Sequence, residues 1–194
     1  MTDPITLATD QALVRDVLAA RAGAFERLVK TYQGLCWHVI VRMVRHPEDA
    51  RELCQEAFLR VYQCIDQYRG DSALKSWIAQ VAYSVAKRHL ERRRIPLADV
   101  PLEDDGLSTA DTVADSVDLE RTHGDGEIAA LLHAAIAALA PLPRTVLTLY
   151  HLEEMSITEI AAITGVAQGT IKSHLFRSRR QLRATLERDM GAAA

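Results

Sequence analysis

The run from Met155 to Arg180 constrains this chain more than any other stretch: Met-Ser-Ile-Thr-Glu-Ile-Ala-Ala-Ile-Thr-Gly-Val-Ala-Gln-Gly-Thr-Ile-Lys-Ser-His-Leu-Phe-Arg-Ser-Arg-Arg. Ser156 and Glu159 stand at capping-box spacing, where each side chain satisfies the other residue's amide at a helix start. Ile160, Ala161 and Ile163 give that helix one apolar side. Gly165 falls where a chain leaving a helix needs a positive φ, and Val166 plugs the corner. A second helix is predicted to begin near Ala167 or Gln168, with Ile171 and Leu175 four apart on its inner face. Gln168, Thr170, Lys172, Ser173, His174 and Arg177 are left for its outer face. The pattern is a helix-turn-helix. A helix of this kind fits the major groove of DNA, where polar side chains from its first turns meet base edges. Arg177, Arg179, Arg180 and Arg183 follow, where phosphates are the expected targets.

The chain has 194 residues, room for one large domain or two small ones. Aromatic residues are few and apolar periods of 3.6 recur, so the expected fold is all-α. No apolar run is long enough to span a bilayer, and Met1-Thr-Asp-Pro-Ile-Thr lacks the basic and then apolar order of a signal segment. The expectation is a cytoplasmic protein with no membrane insertion. Cys36, Cys54 and Cys64 form no even disulfide set and no zinc-binding spacing, and are expected as thiols on helix faces. No Gly-rich phosphate loop, nucleophile elbow or metal cluster occurs, so neither catalysis nor a cofactor is expected.

The net charge of −3 runs against DNA binding until its distribution is seen. Between Ala98 and Glu127 stand ten acidic residues, with Arg121 as the sole Lys or Arg. The rest of the chain is therefore net positive: two basic modules joined by an acidic tether. The expected division is residues 1–94, a flexible acidic linker at 95–126 that is poor in large apolar side chains, and residues 127–194.

The first module divides into four predicted helices. Asp10 is expected to cap one from Gln11 to Ala20. A second runs from Ala24 to about Arg45. Pro47-Glu48-Asp49 starts a third, to about Tyr68, with acids at its positive end. Arg69-Gly70-Asp71 is a turn, and Ser72 is expected to cap a fourth helix from Ala73 to about Arg94. In the second module Ile128 to Leu139 is amphipathic, Pro141-Leu-Pro143 breaks it, and Arg144 to about Glu153 precedes the helix-turn-helix.

With these residues laid out, the chain resembles the extracytoplasmic-function (ECF) sigma factors of the sigma-70 family over nearly its whole length. Asp49-Ala-Arg-Glu-Leu-Cys-Gln-Glu-Ala-Phe-Leu-Arg-Val-Tyr62, Tyr68-Arg-Gly-Asp and Trp77-Ile-Ala-Gln-Val-Ala are similar to region 2 of that family. Leu139-Ala-Pro-Leu-Pro-Arg, Ile157-Thr-Glu-Ile-Ala and Gly169-Thr-Ile-Lys-Ser-His-Leu-x-Arg-Ser-Arg are similar to region 4. The resemblance implies a subunit that binds core RNA polymerase, at the β′ clamp helices and the β flap, and directs transcription initiation. Asp49, Glu52, Gln55, Glu56 and Phe58 become the polymerase-contact candidates. Arg69, Lys75, Tyr83, Ser84, Lys87, Arg88 and Arg92 become candidates for the −10 element and its melted non-template strand, where unpaired bases need cations and aromatic faces. Gln168, Gly169, Thr170, Lys172, Ser173, His174, Arg177 and Arg180 become candidates for the double-stranded −35 element. An anti-sigma factor is the implied regulatory partner.

Three positions depart from the family pattern. Arg51 places a cation in the acidic docking strip where Glu is usual, which predicts weaker polymerase binding or activation by a further event such as phosphorylation. Ser84 replaces a common Asn, and Arg88 a common Asp. The competing reading is a plain two-domain regulator acting on operators alone. It needs a ligand pocket or dimer face in the first module, where this chain has its acidic strip.

Overall fold

The computed structural model describes residues 4–97 and 126–191, which form two compact units. The acidic tether expected at 95–126 lies almost wholly outside the described residues. Every regular element among the described residues is helical.

The first unit holds α1 (Pro4–Leu18), α2 (Ala24–Val44), α3 (Pro47–Cys64), a 3-10 turn (Ile65–Gln67) and α4 (Leu74–Arg92). Leu28, Leu35, Cys36, Val39, Ile40 and Met43 fall at helical spacing on one face of α2 and are all buried, the stripe a surface helix turns to its core. Leu53, Ala57 and Val61 form the matching row of α3. The central helix is α4, packed against both α2 and α3. It therefore buries a broad face, with Leu74, Ile78, Ala79, Ala82 and Ala86 sealed from solvent. Between α2 and α3 the Cys36 thiol is hydrogen-bonded to Cys54. That bond, with burial, pushes the Cys36 thiol up and holds Cys54 below the ordinary range. All three cysteines are free thiols.

Two expectations about helix starts are corrected here. Asp10 does not cap α1, which begins at Pro4 instead, because proline's fixed φ and missing N–H suit a first turn. Nor does Ser72 cap α4: its N-cap is Ala73, whose side chain makes no cap bond. Asp10, 64 positions earlier and 5% exposed, supplies the missing acceptor: the Leu74 N–H donates to its Oδ2 at 2.7 Å.

The second unit holds α5 (Gly126–Ala138), α6 (Pro141–His151), α7 (Ile157–Thr164) and α8 (Gln168–Gly191). The amphipathic helix α5 ends at Ala138, ahead of Pro141, as the sequence predicts, but α6 begins earlier than the expected Arg144: Pro141 and Pro143 lie in its first turn, where a missing N–H costs no intrahelical bond. Leu132, Ala135, Ile136, Leu139, Leu147 and Leu182 make a core cluster, with Leu186 packed against it. Buried polar groups find partners inside this core, as burial demands. Arg144, 2% exposed, donates from Nη1 to the Ala137 carbonyl near the end of α5 at 3.1 Å. Thr145 and Thr148 donate back to the carbonyls of Pro141 and Arg144 at 2.8 and 3.0 Å.

Candidate nucleic-acid interface

The start of α7 forms locally. Ser156 Oγ accepts from the Glu159 amide at 3.2 Å, and Glu159 Oε2 accepts from the Ser156 amide at 2.9 Å. Both halves of the capping box are present. At the far end Gly165 has φ 73°, and its amide donates to the Ala161 carbonyl at 2.9 Å. A side chain at Gly165 would be strained in that left-handed conformation. The turn then passes to α8, whose first long stripe decides which residues remain outside.

On α8 the inward row is Ile171, His174, Leu175, Ser178 and Leu182, all buried. The sequence reading of His174 as an outward, base-facing residue is corrected: it is 5% exposed. The stripe of a packed helix includes i+3 as well as i+4 positions, so the inner face set by Ile171 and Leu175 also takes in His174. Burial, and then the Arg177 charge, holds His174 below the ordinary imidazole range, which keeps it neutral near pH 7. Gln168, Gly169, Lys172 and Arg180 are exposed, while Thr170, Ser173 and Arg177 are half-buried. The Ser173 hydroxyl donates to the Gly169 carbonyl at 3.1 Å. Phe176, 45% exposed, stands among these polar groups and was missed in the sequence, where an aromatic residue between Leu175 and Arg177 reads as core. Arg179 faces another way. Its Nε donates to His151 Nε2 at 3.3 Å, and its guanidinium lies 5.4 Å from the Tyr150 ring centre. It ties α8 to α6 rather than projecting toward phosphates.

On α4 the exposed row is Gln80, Ser84 and Arg92, one turn apart with half-buried Arg88 between the last two; Lys75 and Lys87 are also half-buried. Gln80 was missed because a lone amide in an apolar segment carries no signal of its own. Tyr83 is the second correction. It is 3% exposed and offers no aromatic face to an unpaired base. Packing of α4 on two neighbours widens its buried arc past the narrow stripe that periodicity suggests. Burial, with the Glu91 charge, pushes the Tyr83 hydroxyl up to about 12. Arg69 is exposed in the turn before α4.

On α3, Glu52, Gln55 and Glu56 are exposed, and Phe58 is half-buried. Leu59 and Tyr62, 57% and 55% exposed, lie one turn further along and extend this strip. Asp49 is engaged inside the unit: Arg93 at the end of α4 reaches its Oδ2 at 3.0 Å, with His89 Nε2 at 3.7 Å. Arg51 is paired with Glu48 one turn before it. Such exposed pairs contribute little to stability, but this one offsets the cation within the strip. No group of His, Cys, Asp or Glu among the described residues is placed to hold a metal, and no described helix is long and apolar enough to cross a membrane.

This geometry agrees with what the chain is similar to. Residues 28–95 match the family model of sigma-70 region 2, and residues 129–182 match that of sigma-70 region 4. An RNA polymerase sigma-H factor of Pseudomonas aeruginosa is 35% identical over 186 residues, spanning 94% of this chain and 96% of that protein. An ECF RNA polymerase sigma-E factor of Escherichia coli is 33% identical over 174 residues, spanning 88% and 91%. Among solved structures, CnrH in complex with the cytosolic domain of CnrY shares the fold. Its TM-score is 0.64 at 19% identity, covering 93% of this chain and 98% of that one. The sigma factor RpoE of Bartonella quintana, solved with the anti-sigma factor NepR, has a TM-score of 0.58 at 20% identity, covering 86% and 98%. With both region models matched in order and relatives of 35% and 33% identity aligned over most of both chains, the chain belongs to the sigma-70 family, among the ECF RNA polymerase sigma factors.

Proposed function

We propose that this chain assigns the tasks of a sigma factor to its residues as follows. Residues 1–94 dock on core polymerase and handle the −10 element, residues 95–126 connect, and residues 127–194 bind the −35 element. The docking surface is the exposed strip of α3: Glu52, Gln55, Glu56, Leu59 and Tyr62, with Phe58 at its edge. Asp49 contributes by holding Arg93 and His89, which joins the start of α3 to the end of α4. A row of acids and amides ending in apolar side chains suits a basic helical partner such as the β′ clamp helices. Arg69, Lys75, Gln80, Ser84, Lys87, Arg88 and Arg92 face the −10 element and its melted strand. Gln168, Gly169, Thr170, Lys172, Ser173, Phe176, Arg177 and Arg180 face the −35 duplex, with Phe176 suited to a thymine methyl. The second unit also meets the β flap.

The observation that carries this reading is the exposed, basic outer face of α8, started by a formed turn, in the same chain as the exposed strip of α3. An anti-sigma factor is the proposed regulator. The solved relatives that share this fold were captured with such partners or with a cytosolic protein domain, and the same exposed strip is a surface that a regulator would cover. Gel filtration of the full chain with bacterial core RNA polymerase tests the reading. Co-elution is expected for wild type and is expected to be lost on Glu56→Arg. Folded wild-type protein that elutes apart from core would leave two accounts: the plain DNA-binding regulator, or a sigma factor that Arg51 keeps from core until a further event such as phosphorylation.

A further inference from the structure

Asp10 lies in the middle of α1 yet acts on a different helix. Its Oδ2 accepts from the Leu74 amide at 2.7 Å, and its Oδ1 accepts from the Tyr32 hydroxyl of α2 at 3.1 Å. The next residue of α1, Gln11, reaches the turn that leads into α4. A Cβ added at Gly70, where φ is 79°, would stand 2.9 Å from Gln11 Nε2. The turn closes on itself as well, since the Tyr68 hydroxyl donates to the Ser72 carbonyl at 2.6 Å. The Tyr68 ring lies against Trp77, with centres 5.8 Å apart. Asp10–Gln11 thus braces both ends of the segment from Gly70 to Leu74. Tyr32 and Tyr68 both have hydroxyls pushed up, first by burial and then by the Asp10 charge, so both remain hydrogen-bond donors at any physiological pH.

We infer that Asp10 is a positioning residue for promoter-strand recognition, holding the Arg69–Leu74 turn and the first turn of α4 in the one geometry that presents Arg69 and Lys75 to unpaired DNA. The inference rests on the proposed −10 role of this face. Ala73, the N-cap of α4, offers no side-chain acceptor, so without Asp10 the buried Leu74 amide loses its partner. A helix start left in that state frays or shifts, and recognition of a base held outside the stack is sensitive to displacements of about 1 Å. Asp10 touches no DNA in this scheme; it acts through Leu74, Tyr32 and the turn.

The test uses the full chain bound to core RNA polymerase and a pool of promoter duplexes whose unpaired −10 segment is randomised. Retained molecules are sequenced, and the ratio of best to median enrichment measures discrimination. Wild type is expected to enrich a defined sequence. Asp10→Ala is expected to lower that ratio about tenfold, on the scale of a lost helix cap, with affinity for core polymerase unchanged. Asp10→Asn, which keeps an acceptor for Leu74, is expected to restore most of it. Tyr32→Phe, which removes only one of the two bonds, lowers it less and serves if Asp10→Ala does not fold. Val14→Ala is the control: it trims a buried side chain of the same helix and leaves the brace intact. Equal loss of discrimination in Val14→Ala, at matched thermal stability, would show a merely structural role and overturn the inference. So would full discrimination in Asp10→Ala. A wild-type holoenzyme that enriches no sequence would instead overturn the −10 reading itself, and the inference with it.

Discussion

The first helix of the helix-turn-helix, α7, and the helix proposed to face DNA in the first unit, α4, begin in opposite ways. The start of α7 is complete within four consecutive residues, since Ser156 and Glu159 satisfy each other's amides. The start of α4 is completed by a carboxylate 64 positions away. A local cap forms as soon as the helix does. A distant one forms only after the chain has closed a long loop, whose entropy must be met before the contact repays it. The second unit can thus build its turn on nearest-neighbour chemistry, whereas the first completes the start of α4, its proposed DNA face, only once its tertiary structure is in place.

Three outcomes break or sharpen that comparison. The largest effects come from the cores. Leu28 and Leu149 are each 0% exposed, so Leu28→Ala and Leu149→Ala should each cost about 2–5 kcal/mol. Trp37 and Trp77, the two tryptophans of the chain, both lie in the first unit. Urea unfolding followed by their fluorescence should therefore register Leu28→Ala, while Leu149→Ala should appear mainly in circular dichroism. Equal shifts in both signals for both variants would mean that the units unfold as one.

The next effect is the cap contrast itself. Asp10→Ala leaves the buried Leu74 amide and the Tyr32 hydroxyl without their acceptor, a loss of about 1–3 kcal/mol. Ser156→Ala removes an exposed local cap and should cost about 1 kcal/mol. Urea midpoints of the two variants rank them directly, and a larger loss for Ser156→Ala would reverse the comparison. The smallest effect is a slope with pH. His151 and His174, both in the second unit, are held below the ordinary range by burial first and then by Arg179 and Arg177 respectively. Above about pH 6.5 both are neutral folded or unfolded. As pH falls below that, the unfolded chain takes up protons first, so stability declines until the lowered folded values are reached. Melting of wild type at pH 7.5 and 5.5 should show the decline, and His174→Gln should flatten it.

What could be read from residue order follows the same division. The capping box, Gly165, the row of Ile171 and Leu175, Pro47 at the start of α3 and the periodic face of α2 are features of neighbours three or four apart, and each appears in the structure as the spacing predicts. Failures occurred where a residue's place depends on how many helices surround it. Tyr83 is buried because α4 meets two neighbours at once. His174 is buried because the inner stripe of α8 is wider than one row. Leu59 and Phe176 are exposed although their chemistry suits a core, and Tyr62 stays 55% exposed although its ring meets Phe25 of α2 edge-on at 5.0 Å; nothing in their local sequence says how far the described helices cover them. Arg179 joins Tyr150 and His151, partners no spacing rule connects to it.

The sequence by itself determined the helices, the helix-turn-helix, the basic modules and the family, because periodicity, capping and turn chemistry act over one or two turns of chain. Only the tertiary structure decided which cations are engaged inside the fold, which aromatics are sealed away, and that Asp10 serves α4 rather than α1. Those outcomes depend on burial and on contacts between segments far apart in the chain, and the energy of an unpartnered buried amide or carboxylate is what selects among them.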